Sequence, residues 1–125
     1  EMDDVVIFEC PFLFNDVLVI SDIVQKIKGK IQIYEIKSST RLEDHFIDDC
    51  AIQNWVSSNC GFEVDKWFIT HLNSEYLHQR DRSSDEMFVH SEITDFVKGL
   101  SDTVSEWVSK LETNLLERLF NEVCL

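Results

Sequence analysis

Ile31-Gln32-Ile33-Tyr34-Glu35-Ile36-Lys37-Ser38-Ser39-Thr40 decides how this chain is read. Its alternation puts Ile31, Ile33, Glu35 and Lys37 on one face of a strand. That face starts as core and ends as two opposite charges. In α/β folds, the carboxyl end of a strand is where ligands and catalysis are commonly placed. Ser38, Ser39 and Thr40 then supply a loop with helix-capping residue types.

Working upstream, Lys28-Gly29-Lys30 predicts a turn. Residues 12–23 are rich in β-branched and aromatic side chains and predict a second strand, with Asp16 inside it. A bend at Ser21-Asp22 is then needed to bring Asp16 beside Glu35. Val5-Val6-Ile7-Phe8 reads as an edge strand, because Pro11 follows and cannot donate to a ladder. Downstream, Leu42, Phe46, Ile47, Cys50, Ala51, Ile52, Trp55 and Val56 recur at helical spacing, and Asn59 and Gly61 mark the helix end. Residues 67–72 read as a strand and residues 73–86 as a polar surface loop. A long helix runs from about residue 91 or 94 to 123. Its apolar stripe is expected to pack across the sheet; the alternative is a seam for a partner or a second copy.

The length of 125 residues predicts one domain, read here as 1–125. A hydrophobic fraction of 44% is enough for a folded core and excludes the disordered class. No run of about 18 apolar residues exists, so no membrane span is expected. The acidic start, Glu1-Met2-Asp3-Asp4, lacks the pattern of an export signal, and a cytoplasmic location is the default. Cys10, Cys50, Cys60 and Cys124 form no CxxC pair and read as small buried or half-buried thiols. His45, His71, His78 and His90 have no partners at ligand spacing. Trp55, Trp67 and Trp107 read as core rather than as base-stacking platforms. The net charge of -13 opposes nucleic acid at long range. Lys26, Lys28 and Lys30 are the one local basic cluster, as consistent with a solvated hairpin tip as with a phosphate contact.

Phosphodiester hydrolysis near neutral pH needs an activated water and neutralised charge. A divalent cation supplies both, held by one or two carboxylates. A nearby lysine stabilises the developing charge. Glu-x-Lys alone usually means a solvated ion pair. Here the pair closes an apolar strand, an Asp lies in the preceding strand, and the following helix carries Gln53.

These residues carry a family resemblance. The Glu35–Lys37 strand, its Ser-Ser-Thr continuation and Asp48-Asp49-Cys50-Ala51-Ile52-Gln53 resemble the RecB-like branch of the PD-(D/E)XK nucleases, closest to a bacterial family of uncharacterised proteins within it. Asn15-Asp16-Val17-Leu18, His71-Leu72-Asn73-Ser74-Glu75-Tyr76, Met87-Phe88 and Ile93-Thr94 also resemble that family, so the likeness covers nearly the whole chain. The resemblance implies an α/β, restriction-endonuclease-like core: a mixed β-sheet flanked by helices. It implies Mg²⁺ or Mn²⁺ held by Asp16, Glu35 and the Ile36 carbonyl. Lys37 would position the attacking water, Gln53 would reach the site from the helix, and Ser38 or Ser39 would touch a phosphate. DNA is the implied substrate.

Three departures stand against this. The family's Tyr four residues after the helix Gln is Ser57 here. Its first helix has no counterpart before Val5, which suggests a piece of a longer protein whose other domains are further partners. The cysteine spacing does not match an iron-sulfur cluster, and none is expected. A nuclease-fold binding or assembly module without catalysis is the alternative function.

Overall fold

The computed structural model describes residues 4–76 and 86–124. Five strands form one sheet in chain order: β1 (Val5–Phe14), β2 (Val17–Ile27), β3 (Lys30–Ile36), β4 (Val64–Leu72) and β5 (Phe88–Glu92). β1/β2, β2/β3 and β4/β5 pair antiparallel, while β3/β4 is parallel. A parallel pair needs a crossover of a dozen residues or more. The helix α1 (Asp44–Asn59) supplies it. Two further helices, α2 (Thr94–Gly99) and α3 (Ser101–Cys124), complete the chain. The architecture is therefore α/β, a five-stranded mixed sheet flanked by helices.

Both hairpin turns are two-residue connections with positive φ at each central position. Lys28 and Gly29 have φ 52° and 79°, and Asn15 and Asp16 have φ 47° and 63°. Such primed turns match the twist of the flanking strands, and Asn, Asp and Gly tolerate the left-handed conformation. The Lys28-Gly29 turn agrees with the sequence. The Asn15-Asp16 turn corrects it: residues 12–23 are not one strand, and Asp16 is at a hairpin tip. β1 also runs through Pro11, as an edge strand permits.

The β1/β2 ladder is bent at one row. Glu9 has φ 53°, between the pairs Phe8↔Ile23 and Cys10↔Ser21. Ser21 and Val24 are both buried although three residues apart, so the strict alternation of β2 breaks there. The β2/β3 ladder ends at the same place, with Ile23↔Tyr34 its last pair. Beyond the bend, the hairpin arm leaves β3 and packs on α1. Phe14 meets Trp55 edge-on, and the Cys60 thiol donates to the Leu13 carbonyl.

The core lies between the inner sheet face and α1 and α2. Ile33, Trp67, Ile69 and Val64 meet Phe46, Cys50 and Val56 of α1, together with Ile93 and Val97. Trp67 is fully buried, and its indole donates to Asn54 Oδ1 at 3.0 Å. Cys10, Cys50 and Cys60 are unpaired thiols. Most of the expected loop 73–86, with His78, lies outside the described residues. At its edges Asn73 is tied to Met87 and Glu86. Phe88–Glu92 is a strand that the sequence reading did not anticipate.

The C-terminal helix differs most from expectation. It breaks at Leu100, between Gly99 and Ser101, beside a glycine that lowers helix propensity. α3 is anchored by the fully buried Val104 and by the Trp55 indole donating to Ser105 Oγ at 2.8 Å. From Ser105 to Asn121 every residue but Val108 is exposed. The stripe does not pack across the sheet, because α1 and α2 already fill the inner face.

Candidate functional site

Glu35 is the centre of a polar cluster at the carboxyl end of β3. It is buried, yet it ends a row that begins with Ile31 and Ile33. Gln53 of α1 donates from Nε2 to Glu35 Oε2 at 3.0 Å. Ser21 Oγ donates to Gln53 Oε1 at 2.8 Å. The amide of Gln53 is thus used at both ends and locked in one orientation. Burying a polar amide is costly unless it is hydrogen-bonded, and this relay meets that requirement.

Lys37 projects to the same side as Glu35, as strand period demands. Its Nζ lies 3.6 Å from Glu35 Oε2 and 2.8 Å from Asp49 Oδ2, and 5.2 Å from the Phe46 ring centroid. Burial disfavours the Lys37 charge, but the hydrogen bond and charge of Asp49, with Glu35, outweigh it and hold its pKa above the ordinary lysine value.

The second carboxylate at Glu35 is Asp22. Its Oδ2 accepts the Ile36 backbone N–H at 2.9 Å. That amide has no β2 carbonyl to meet, because the ladder ends one row earlier. Asp22 also acts on Glu35 directly. Burial pushes the Glu35 pKa up, Asp22 pushes it further by hydrogen bond and charge, and Lys37 and Gln53 oppose; the net value is about 7. While both carboxylates are ionised, Glu35 Oε1 is buried and receives no hydrogen bond; the Glu35–Asp22 hydrogen bond requires a proton on one of them. An orphan carboxylate oxygen beside a second carboxylate is an acceptor pair suited to a shared proton or a small cation. The nearby Cys50 thiol has its pKa raised, first by burial and then by Glu35.

The structure thus brings together Glu35, Lys37 and Gln53, with the Ile36 peptide beside Asp22. It does not bring Asp16. Six residue steps along β2 separate Asp16 from Asp22, roughly 20 Å of strand. Asp16 instead lines a groove against α3. Ser39 is in structural use: its hydroxyl donates to the Arg41 carbonyl and accepts the Arg41 N–H, and its carbonyl accepts from Leu72. Ser38 is exposed on the same loop. Asp22, Asp49 and Ser21 were missed from sequence. The signal for Asp22 was present: equal steps back from a Lys28-Gly29 turn place residue 22 opposite Glu35.

Among the described residues, no group of three or more His, Cys, Asp and Glu side chains is placed to hold a metal ion. Nor is any described helix long and apolar enough to cross a membrane. No family model, no curated protein and no solved structure matches the chain.

Proposed function

We propose that this chain is a divalent-metal-dependent nuclease domain that hydrolyses DNA phosphodiester bonds, with Asp22 in the role expected of Asp16. The observation that carries the reading is the orphan Glu35 Oε1, buried beside the Asp22 carboxylate, with Lys37 two residues on. The mixed sheet with a helix crossing between parallel β3 and β4 supports the restriction-endonuclease-like core.

Two carboxylates and a peptide carbonyl fit a hard cation such as Mg²⁺ or Mn²⁺, which keeps several waters and uses one or two protein carboxylates. Asp22 and Glu35 would hold it, with the Ile36 carbonyl as a further oxygen. Bound there, the ion lowers the pKa of water and neutralises phosphate charge. The chain's own groups do the rest. Gln53 fixes the Glu35 carboxylate, and Ser21 fixes Gln53. Lys37 stays protonated under the influence of Asp49 and presents a cation toward the scissile phosphate.

The test is cleavage of single- and double-stranded DNA with Mn²⁺, wild type beside Asp22→Asn and Lys37→Ala. Cleavage that both variants lose supports the reading. Wild-type cleavage that survives Asp22→Asn overturns it.

A second reading is a binding or assembly module without catalysis. The closer grip of Asp49 on Lys37 favours it, since it neutralises internally the one cation of the site among the described residues. The net charge of -13 points the same way. Thermal stabilisation by Mn²⁺ without cleavage would separate a metal-binding module from an enzyme.

A further inference from the structure

The distal half of α3 has no cover among the described residues of its own chain. Trp107, Leu111, Leu115, Leu116, Leu119 and Phe120 are between 38% and 68% exposed. A helix that leaves the core needs its apolar face packed, because short helices are marginal in water on propensity alone. The apolar side chains form two neighbouring rows at four-residue spacing: Trp107, Leu111, Leu115 and Leu119, then Val108, Leu116 and Phe120, the second row interrupted by Glu112. Rows of this kind are the ridges that interlock in the commonest class of helix–helix contact.

The same helix carries both halves of a joint. A largely apolar groove of about 320 Å³ lies between the Asn15–Val17 tip and Val108, Leu111, Leu115 and Leu116. A dry cavity of roughly 150 Å³ takes one benzene ring, so the groove has room for about two large side chains. Leu119 and Phe120 form an exposed apolar knob further along. From groove centre to knob is roughly 11 Å of helix.

We propose that a second copy of this chain docks antiparallel along α3, with the Leu119–Phe120 knob of each copy in the groove of the other. The two-fold axis passes near Leu116, midway between groove and knob. A reciprocal contact of this kind closes on itself, as a two-fold interface must. Roughly 100 Å² from each of six side chains makes about 1,200 Å² buried in total, the lower bound for a stable specific interface. The net charge of -13 on each copy opposes the approach. Added salt screens that repulsion and strengthens the pairing. Nothing in this pairing depends on the carboxylate site.

Light scattering on a sizing column, over a series of protein and salt concentrations, tests the proposal. The wild type is expected to be a dimer, favoured by salt. Leu111→Glu and Phe120→Glu are expected to be folded monomers, and Leu42→Glu, exposed elsewhere, to remain a dimer. In a Cys124→Ser background, Leu116→Cys is expected to give a disulfide-linked dimer on mild oxidation. A wild type that stays monomeric overturns the proposal. So does open-ended growth, or a dimer that the α3 substitutions leave intact.

Discussion

Two regions invert the usual rule of polar outside and apolar inside, in opposite senses. Around Glu35 the chain buries Ser21, Gln53 and a carboxylate; along distal α3 it exposes Trp107, Phe120 and four leucines. Buried polar groups and large exposed apolar patches are the informative observations about a surface. The difference lies in what satisfies them. The polar cluster is nearly self-sufficient, through Ser21→Gln53→Glu35 and Lys37–Asp49; among the described residues only the buried Glu35 Oε1 receives no hydrogen bond while Glu35 and Asp22 are ionised. Beyond Val108, the α3 stripe finds no cover among the described residues. One region is a site built within the chain, and the other is half of a contact.

The largest expected effect separates Asp22 from Asp16. Asp22→Asn should lower metal-dependent cleavage by about 10³-fold or more, equivalent to roughly 4 kcal/mol. Asp16→Asn should leave it within about twofold. Equal losses in single-turnover rates would break the assignment of the site to the β2 bend.

Ser21→Ala should destabilise the fold by about 1–3 kcal/mol in denaturant titrations, because it leaves Gln53 Oε1 buried without a donor. Loss of cleavage should accompany it. A fully stable Ser21→Ala protein would mean that the relay is not the support of Glu35.

Acidity gives a smaller effect with a definite sign. The Glu35 pKa is about 7 when folded, above its value of 4.5 when unfolded. The folded state therefore holds a proton that the unfolded state releases between those values. Stability should fall as pH rises through this window, by at most about 1.4 kcal/mol per pH unit. Glu35→Gln should remove the slope. Mn²⁺ competes with that proton, so its stabilisation should be weak near pH 5.5 and strong near pH 8. A Glu35→Gln protein with the wild-type slope would assign the titration to another group.

The smallest effect sharpens the contrast from the other side. Leu111→Glu in α3 should change the unfolding free energy of the monomer by no more than about 0.5 kcal/mol, as exposed substitutions do. Ile33→Ala in the core should cost about 2–5 kcal/mol. A large loss from Leu111→Glu under monomeric conditions would show that α3 packs within its own chain.

Much of the fold was legible because it is written in local rules. Period two marked Ile31 to Lys37, Lys28-Gly29 marked the hairpin, and three- and four-residue spacing marked α1. Two failures have local causes. Asn15-Asp16 reads as strand because its flanks are strongly β-forming, although Asn and Asp are both turn residues that tolerate positive φ. Phe88–Glu92 carries little strand signal because it mixes apolar and polar residues at the sheet edge, where alternation is weak. The α1 face shifted for a different reason: Gln53, Asn54 and Ser57 are buried by their hydrogen-bond partners, which hydropathy does not register.

By itself, the sequence determined the strand ending in Glu35 and Lys37, the glycine turn before it, and the helix that carries Gln53. Each follows from residues within a few positions of one another. Only the tertiary structure decided which aspartate meets Glu35, because that depends on register and on the bend at Glu9 and Asp22. It alone decided that Asp49 holds Lys37, since a helix and a strand must dock before those charges meet. It alone left the stripe of distal α3 uncovered among the described residues, because whether an apolar face finds a home depends on how much room the other elements leave.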